Sequence, residues 1–245
     1  MSSIPARADD KARPSVVGIF DVDGVLLASP HERAWREALE GYANPSLFTT
    51  AMYQAEVAGK PRLSGALAAL EALRVRGSAG KAAAYAQAKQ ERMVKLIEAG
   101  CFKAFPDALR LVEAASALGW PMAVASSSKN ANRMMRRIPT TGGGSLYDVF
   151  SANVCGRDLK KGKPNPEIFL LAADALRMPP KRCVVFEDSP AGIEAALAGG
   201  MLSIGVARLG DAAPLSAAGA TLVVISLDDL AVDDLVLGRF IPCLA

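Results

Sequence analysis

Two aspartates separated by one residue, Asp21 and Asp23, end the apolar run Val16-Val17-Gly18-Ile19-Phe20, and Gly24 follows at once. In an extended chain, side chains two residues apart leave on the same side, and a glycine lets the backbone turn sharply after them. Both carboxylates are therefore directed toward one pocket. Two acids held that close repel, and burial raises the cost, so the pair persists only with one acid protonated or with a cation between them. Either state serves an enzyme. Taken alone, the same residues also fit an Asp-rich turn whose carboxylates cap backbone amides.

Three further apolar runs end in polar groups. Pro121–Ala125 leads into Ser126, Ser127, Ser128, Lys129 and Asn130, hydroxyls and amides at a helix start where phosphate oxygens bind well. An ordinary Ser N-cap has the same appearance. In Lys160-Lys161-Gly162-Lys163-Pro164-Asn165-Pro166, the first two lysines read as a solvated basic loop. Pro164 instead holds Lys163 toward extended geometry and aims its ammonium at the pocket. Cys183–Phe186 delivers Glu187 and Asp188 opposite Asp21 and Asp23. Four carboxylates in one cleft need compensation, and one hard divalent cation with Lys163 supplies about +3. Mg²⁺ is the natural candidate, because it bridges a few carboxylates and a substrate phosphate.

These groups need a scaffold that brings strand ends together. Val16–Phe20, Pro121–Ala125, Val149–Ala152, Cys183–Phe186, Leu202–Val206 and Leu222–Val224 read as strands. Between them, Pro106–Leu118, Lys129–Arg137, Pro166–Arg177 and Pro190–Gly199 read as helices, and 139–145 as a surface loop. Alternation of this kind predicts an α/β fold with a doubly wound parallel sheet, whose ligands bind at the carboxyl ends of the strands. One stretch departs from it. His31–Tyr42, Leu63–Leu73 and Lys81–Ala99 carry helical spacing, and no convincing strand appears before Phe102. The expected organisation is a polar leader at 1–14, a core from 15–29 and 101–245, and an all-helical insert at 30–100.

Composition narrows the function classes. Of 245 residues, 51% are hydrophobic and 22% charged, as in a globular protein able to bury a full core. No run reaches the ~18 apolar residues of a membrane span, and the start has no apolar signal core. A formal charge of +3, scattered basic residues and 6% aromatics argue against nucleic acid as the main partner. Cys101, Cys155, Cys183 and Cys243 are far apart without a CxxC, so they read as reduced thiols of a cytoplasmic protein. His31 is the single histidine, which rules out a His-rich metal site.

With Asp21-Val22-Asp23, Ser126, Lys163 and Glu187-Asp188 in that order, the chain resembles the haloacid dehalogenase (HAD) superfamily of phosphotransferases over about Val16 to Val224. The insert after the first motif is similar to the helical cap of one subgroup. The resemblance implies Asp21 as nucleophile, Asp23 as general acid/base, and Mg²⁺ held by Asp21, Asp188 and the Asp23 carbonyl, with Glu187 in or near the metal shell. It implies Ser126 and Lys163 as ligands of the transferring phosphoryl group. Within the superfamily, His31-Glu32-Arg33-Ala34-Trp35, Gly59-Lys60-Pro61-Arg62, Lys89–Lys95 and Ala125–Asn130 are similar to segments of the β-phosphoglucomutase family. That likeness implies substrate-binding roles for His31, Arg62, Lys89, Ser127, Lys129 and Asn130. Ala28-Ser29-Pro30 replaces that family's Asp-Thr hinge, Gly65 stands at a cap serine, and Gly142–Gly144 has no counterpart. The expected activity is conversion of β-glucose 1-phosphate to glucose 6-phosphate through an aspartyl-phosphate, by a monomer, with an oligomer left open. A small-molecule phosphatase is the alternative. A non-catalytic binding protein on this fold would be expected to lack Asp21, Lys163 or Asp188, and all three are present.

Overall fold

The computed structural model describes residues 15–159, 161–210 and 212–239. The expected leader at 1–14, Lys160 and Cys243 lie outside them. The first strand, β1, is Val17–Phe20, buried throughout. Its side chains alternate between two hydrophobic clusters, Phe20 joining Trp120 and Phe186 on one face, Val17 and Ile19 joining Phe169 and Val185 on the other. A strand covered on both faces needs apolar residues at every position, which is why this one reads as a continuous run.

The chain then forms a two-residue strand, β2 (Leu27–Ala28), and enters the helical stretch. This comprises α1 (His31–Glu37), α2 (Thr50–Met52) running into a π-helical turn at Tyr53–Val57, α3 (Arg62–Ala72) and α4 (Ser78–Glu98). It returns through β3 (Lys103–Ala104), which pairs antiparallel with β2. Both crossings of the insert thus share one small ribbon. The expectation of no strand before Phe102 missed β2, because two residues are too few to show alternation and the strand exists only through its pairing with β3. The helix expected to reach Tyr42 ends at Glu37, and residues 38–42 continue as turns. Trp35, Leu39, Phe48, Leu70 and Tyr85 form the insert's own hydrophobic cluster. Met93, Leu96 and Ile97, in the last turns of α4, instead join the main cluster and anchor that helix to the core.

From α5 (Pro106–Ala117) onward, strands and helices alternate: β4 (Met122–Val124), α6 (Ala131–Met135), β5 (Ala152–Asn153), α7 (Glu167–Ala175), β6 (Cys183–Glu187), α8 (Pro190–Ala198), β7 (Leu202–Val206), α9 (Ala212–Ala217), β8 (Leu222–Val224) and α10 (Val232–Leu237). The strand expected at Val149–Ala152 begins later, because Ser145 and Asp148 cap a 3-10 turn at Leu146–Val149. The glycine stretch that follows α6 is an exposed turn, with Thr141 bonded to Glu113. The expected doubly wound sheet is present as six parallel strands in the order β5-β4-β1-β6-β7-β8. The chain winds outward from β1 to one side and then to the other, so β1 is the switch point and its carboxyl end is where a crevice opens. No helix among the described residues is long and apolar enough to cross a membrane.

Candidate active site

Sheet register brings the motifs to one level. Phe20 pairs with Val124 and with Phe186, so Asp21, Ala125-Ser126 and Glu187 emerge side by side at the ends of β1, β4 and β6. The loop before α7 supplies Lys163, whose peptide bond to Pro164 is cis. Lys163 Nζ lies 2.6 Å from Asp21 Oδ1 and 2.9 Å from Glu187 Oε2. Burial works against this ammonium, but the two carboxylates outweigh it and hold Lys163 above the usual lysine range. Burial also lifts Glu187 to about 7, with Lys163 opposing. The remaining oxygen of Glu187 accepts from Ser189 Oγ at 2.5 Å. Both Glu187 oxygens are therefore engaged within the protein, one of them in holding Lys163.

Asp23 is bound differently from Asp21. Its Oδ2 accepts from Ser126 Oγ at 3.2 Å, while Oδ1 is buried, has no hydrogen-bond partner among the described residues and faces His31 Nε2 at 3.4 Å. Burial raises the pKa of Asp23, Ser29 and Lys89 pulling the other way. His31, the first residue of α1, places Nδ1 2.7 Å from Lys89 Nζ of α4 and Nε2 3.1 Å from Ser128 Oγ. With Lys89 donating to Nδ1, the imidazole is neutral and carries its proton on Nε2. Burial, then the charge on Lys89, accordingly drives His31 well below its ordinary pKa. Burial lowers Lys89 to about 7, despite attraction to Asp23.

The donor set fits a hard cation. Asp21, Glu187 and Asp188 offer oxygens within 4.8 Å of one another. Asp188 forms no ion pair among the described residues. Burial, followed by repulsion from Glu187 and Asp21, pushes it well above the usual carboxylate range. Gly24 has φ +84°, and a Cβ there would overlap the Asp188 carboxylate. The glycine is thus required twice, for the turn and for the close approach. An all-oxygen, negatively charged cradle of this kind suits a divalent cation such as Mg²⁺.

A cavity of about 510 Å³ lies between insert and core, within the range of ligand pockets. Each residue selected from the sequence lines it: Asp21, Asp23, Ser126, Lys163, Glu187 and Asp188 below, His31, Arg62 and Lys89 above, and Ser127, Lys129 and Asn130 beside them. Lys129 and Asn130, like the residues described above, have partners within the protein. Lys129 is ion-paired with Asp158 at the exposed rim. Asn130 exchanges two hydrogen bonds with Gln90 of α4, at 3.2 and 3.3 Å, tying insert to core. Gly65 is buried, where a Cβ would crowd Val57 and Trp35 at 3.3 and 3.4 Å.

Several lining residues were not anticipated. Gln90 adjoins Lys89, and Arg208 follows β7 at the carboxyl edge of the sheet, so position was the one signal in the sequence that pointed to either. Tyr53 and Gln54 sit on the π-helical turn, a local geometry with no periodic signature and one often found at functional sites. Gln54 Oε1 is buried without a partner among the described residues.

A family model for haloacid dehalogenase-like hydrolases matches residues 18–200. The chain belongs to that family. Among its HAD relatives is a phosphorylated carbohydrates phosphatase of Thermotoga maritima, 31% identical over 212 residues, covering 84% of this chain and 92% of the relative. A β-phosphoglucomutase of Mycobacterium bovis is 31% identical over 241 residues, covering 86% and 90%. The crystal structure of an archaeal β-phosphoglucomutase from Pyrococcus sp. strain ST 04 superposes with a TM-score of 0.72 at 30% identity, covering 91% of this HAD chain and 99% of the other.

Proposed function

We propose that this HAD enzyme moves a phosphoryl group on a sugar phosphate as a β-phosphoglucomutase does, from β-glucose 1-phosphate to glucose 6-phosphate. The observation that carries the reading is one cavity holding Asp21, Asp23, Ser126 and Lys163 on the core side and Arg62 and Lys89 on the insert side. A mutase has to grip a bisphosphate at both ends and exclude water between transfers, which calls for cations on the lid as well as the floor. Further support comes from two oxygens without a partner among the described residues, Gln54 Oε1 and, once Asp23 has given up its proton, Asp23 Oδ1. A phosphate cannot donate to either in its ionised form, whereas a sugar hydroxyl can.

In this reading Asp21 attacks phosphorus through the oxygen not held by Lys163. Asp23, which burial favours in its protonated form, gives its proton to the departing sugar oxygen. The aspartyl-phosphate then passes its phosphoryl group to an acceptor hydroxyl whose proton returns to Asp23. Ser126 and Lys163 hold the equatorial oxygens, and positioning supplies most of the catalysis. Mg²⁺, held by Asp21, Asp188 and the Asp23 carbonyl, would neutralise charge on the transferring group. The helical insert at 30–100 acts as the cap. This reading takes the protein as a monomer, and as cytoplasmic with Cys101, Cys155 and Cys183 as free thiols.

A phosphatase is the second reading, favoured by the equal identity to the Thermotoga enzyme and by the engagement of Lys129 with Asp158. A coupled assay with Mg²⁺, β-glucose 1-phosphate and a trace of the 1,6-bisphosphate, recording glucose 6-phosphate and free phosphate together, separates them. Glucose 6-phosphate without stoichiometric phosphate supports the mutase. Phosphate alone makes the enzyme a hydrolase, and neither product withdraws the sugar assignment.

A further inference from the structure

The turn that follows the two aspartates is held by one side chain from the opposite end of the chain. Arg208 lies just beyond β7, and its side chain is only 14% exposed. Its Nε donates to the Gly24 carbonyl at 3.0 Å and its Nη2 to the Val25 carbonyl at 2.9 Å. Its Nη1 donates to Asp107 Oδ2 at 2.9 Å, and the guanidinium lies over the Phe105 ring at 3.8 Å. Asp107 is itself fixed, accepting from the Leu227 amide at 2.8 Å and from Ser226 Oγ at 3.1 Å. The Phe105 amide takes the next carbonyl, that of Leu26, at 3.0 Å. On its inner side the turn is closed by the Leu26 and Leu27 amides on the Val22 carbonyl, at 3.0 and 2.8 Å. Gly24, held at its carbonyl by Arg208, is the residue against which the Asp188 carboxylate rests.

We propose that Arg208 is a positioning residue for the cation site: by clamping the Gly24 and Val25 carbonyls it sets the spacing between Asp23 and Asp188. The proposal rests on the reading that Asp188 holds Mg²⁺. A planar guanidinium offers two fixed donors to adjacent carbonyls while stacked on an aromatic ring, which a lysine ammonium cannot reproduce. Asp107 holds only the third arm of the fork, Nη1, and the two donors on the turn carbonyls do not depend on it. Its loss therefore weakens the fold without releasing the two carbonyls.

The test compares Arg208→Lys with Asp107→Asn, titrating each purified protein with Mg²⁺ by calorimetry and following native-state exchange of the Leu26 and Leu27 amides. Arg208→Lys is expected to weaken Mg²⁺ binding about tenfold or more, the size of effect seen when a group supporting a metal ligand is lost. It should lower kcat for an aryl phosphate more than it raises KM. Asp107→Asn should lower the melting temperature but keep Mg²⁺ affinity within about threefold. Equal weakening by both variants, or a folded Arg208→Lys with unchanged affinity, overturns the proposal. Exchange in the wild-type protein gives an answer even if Arg208→Lys does not fold. Leu26 and Leu27 should open together with the β7 amides, and exchange a hundredfold faster or more would overturn the clamp. Wild-type protein that binds no Mg²⁺ would remove the cation reading instead, leaving the exchange result to decide the clamp.

Discussion

Replacing Lys163 by methionine keeps most of the side chain's length and removes its charge, leaving Asp21 and Glu187 to face each other. The three side chains are 3%, 8% and 1% exposed, so water does not take the ammonium's place. Removing one partner of a buried ion pair costs about 3–5 kcal/mol, because the remaining charge is stranded. Lys129→Met breaks a pair whose side chains are 54% and 87% exposed, and there the expected loss is within about 0.5 kcal/mol. Burial and a second carboxylate separate the Lys163 cluster from this single exposed pair. Adding Glu187→Gln to Lys163→Met removes one stranded charge while keeping an acceptor for Ser189, and should recover about 1–2 kcal/mol. Urea denaturation at pH 8 with EDTA reads the three variants against wild type, using the midpoint and checking that the slope is unchanged. A loss below about 1 kcal/mol in Lys163→Met, or a double variant no more stable than the single, would refute the view that Lys163 neutralises this pair.

Asp21→Asn should lower turnover of para-nitrophenyl phosphate by at least about a thousandfold while the circular dichroism spectrum stays that of wild type; residual turnover near wild type would exclude Asp21 as nucleophile. Arg62→Ala should reduce mutase turnover about tenfold more than it reduces aryl phosphate hydrolysis, and parallel losses would remove Arg62 from distal-phosphate binding. Lys89 titrates at about 7 in the folded chain against an ordinary lysine value of 10.5. Between those values the unfolded chain holds the proton that the folded chain has shed, so stability relative to Lys89→Met should rise with pH above 7 and be flat below it. Chemical denaturation from pH 6 to 9 measures that difference, and a gap independent of pH would mean that Lys89 is not buried as described.

The core sheet, and which polar residues gather at its carboxyl edge, can be read from residue order alone. Val17–Phe20, Met122–Val124 and Cys183–Glu187 are legible because strands covered on both faces must be apolar throughout, and their polar successors stand out by contrast. Parallel winding then required Asp21, Ser126 and Glu187 to meet at one edge, before any distance was known. What only the tertiary structure decided lies where one segment's conformation depends on another. β2 exists through its pairing with β3. Asn130 lines the cavity, and its amide is bonded to Gln90, forty residues away. The pairing of Lys163 with both Asp21 and Glu187, the neutral His31 beside Lys89, and the hold of Arg208 on Gly24 and Val25 each join residues far apart in sequence. Local propensity and periodicity report on neighbours along the chain, whereas hydrogen bonding and desolvation depend on neighbours in space, and those are set only when the sheet and the insert have packed together.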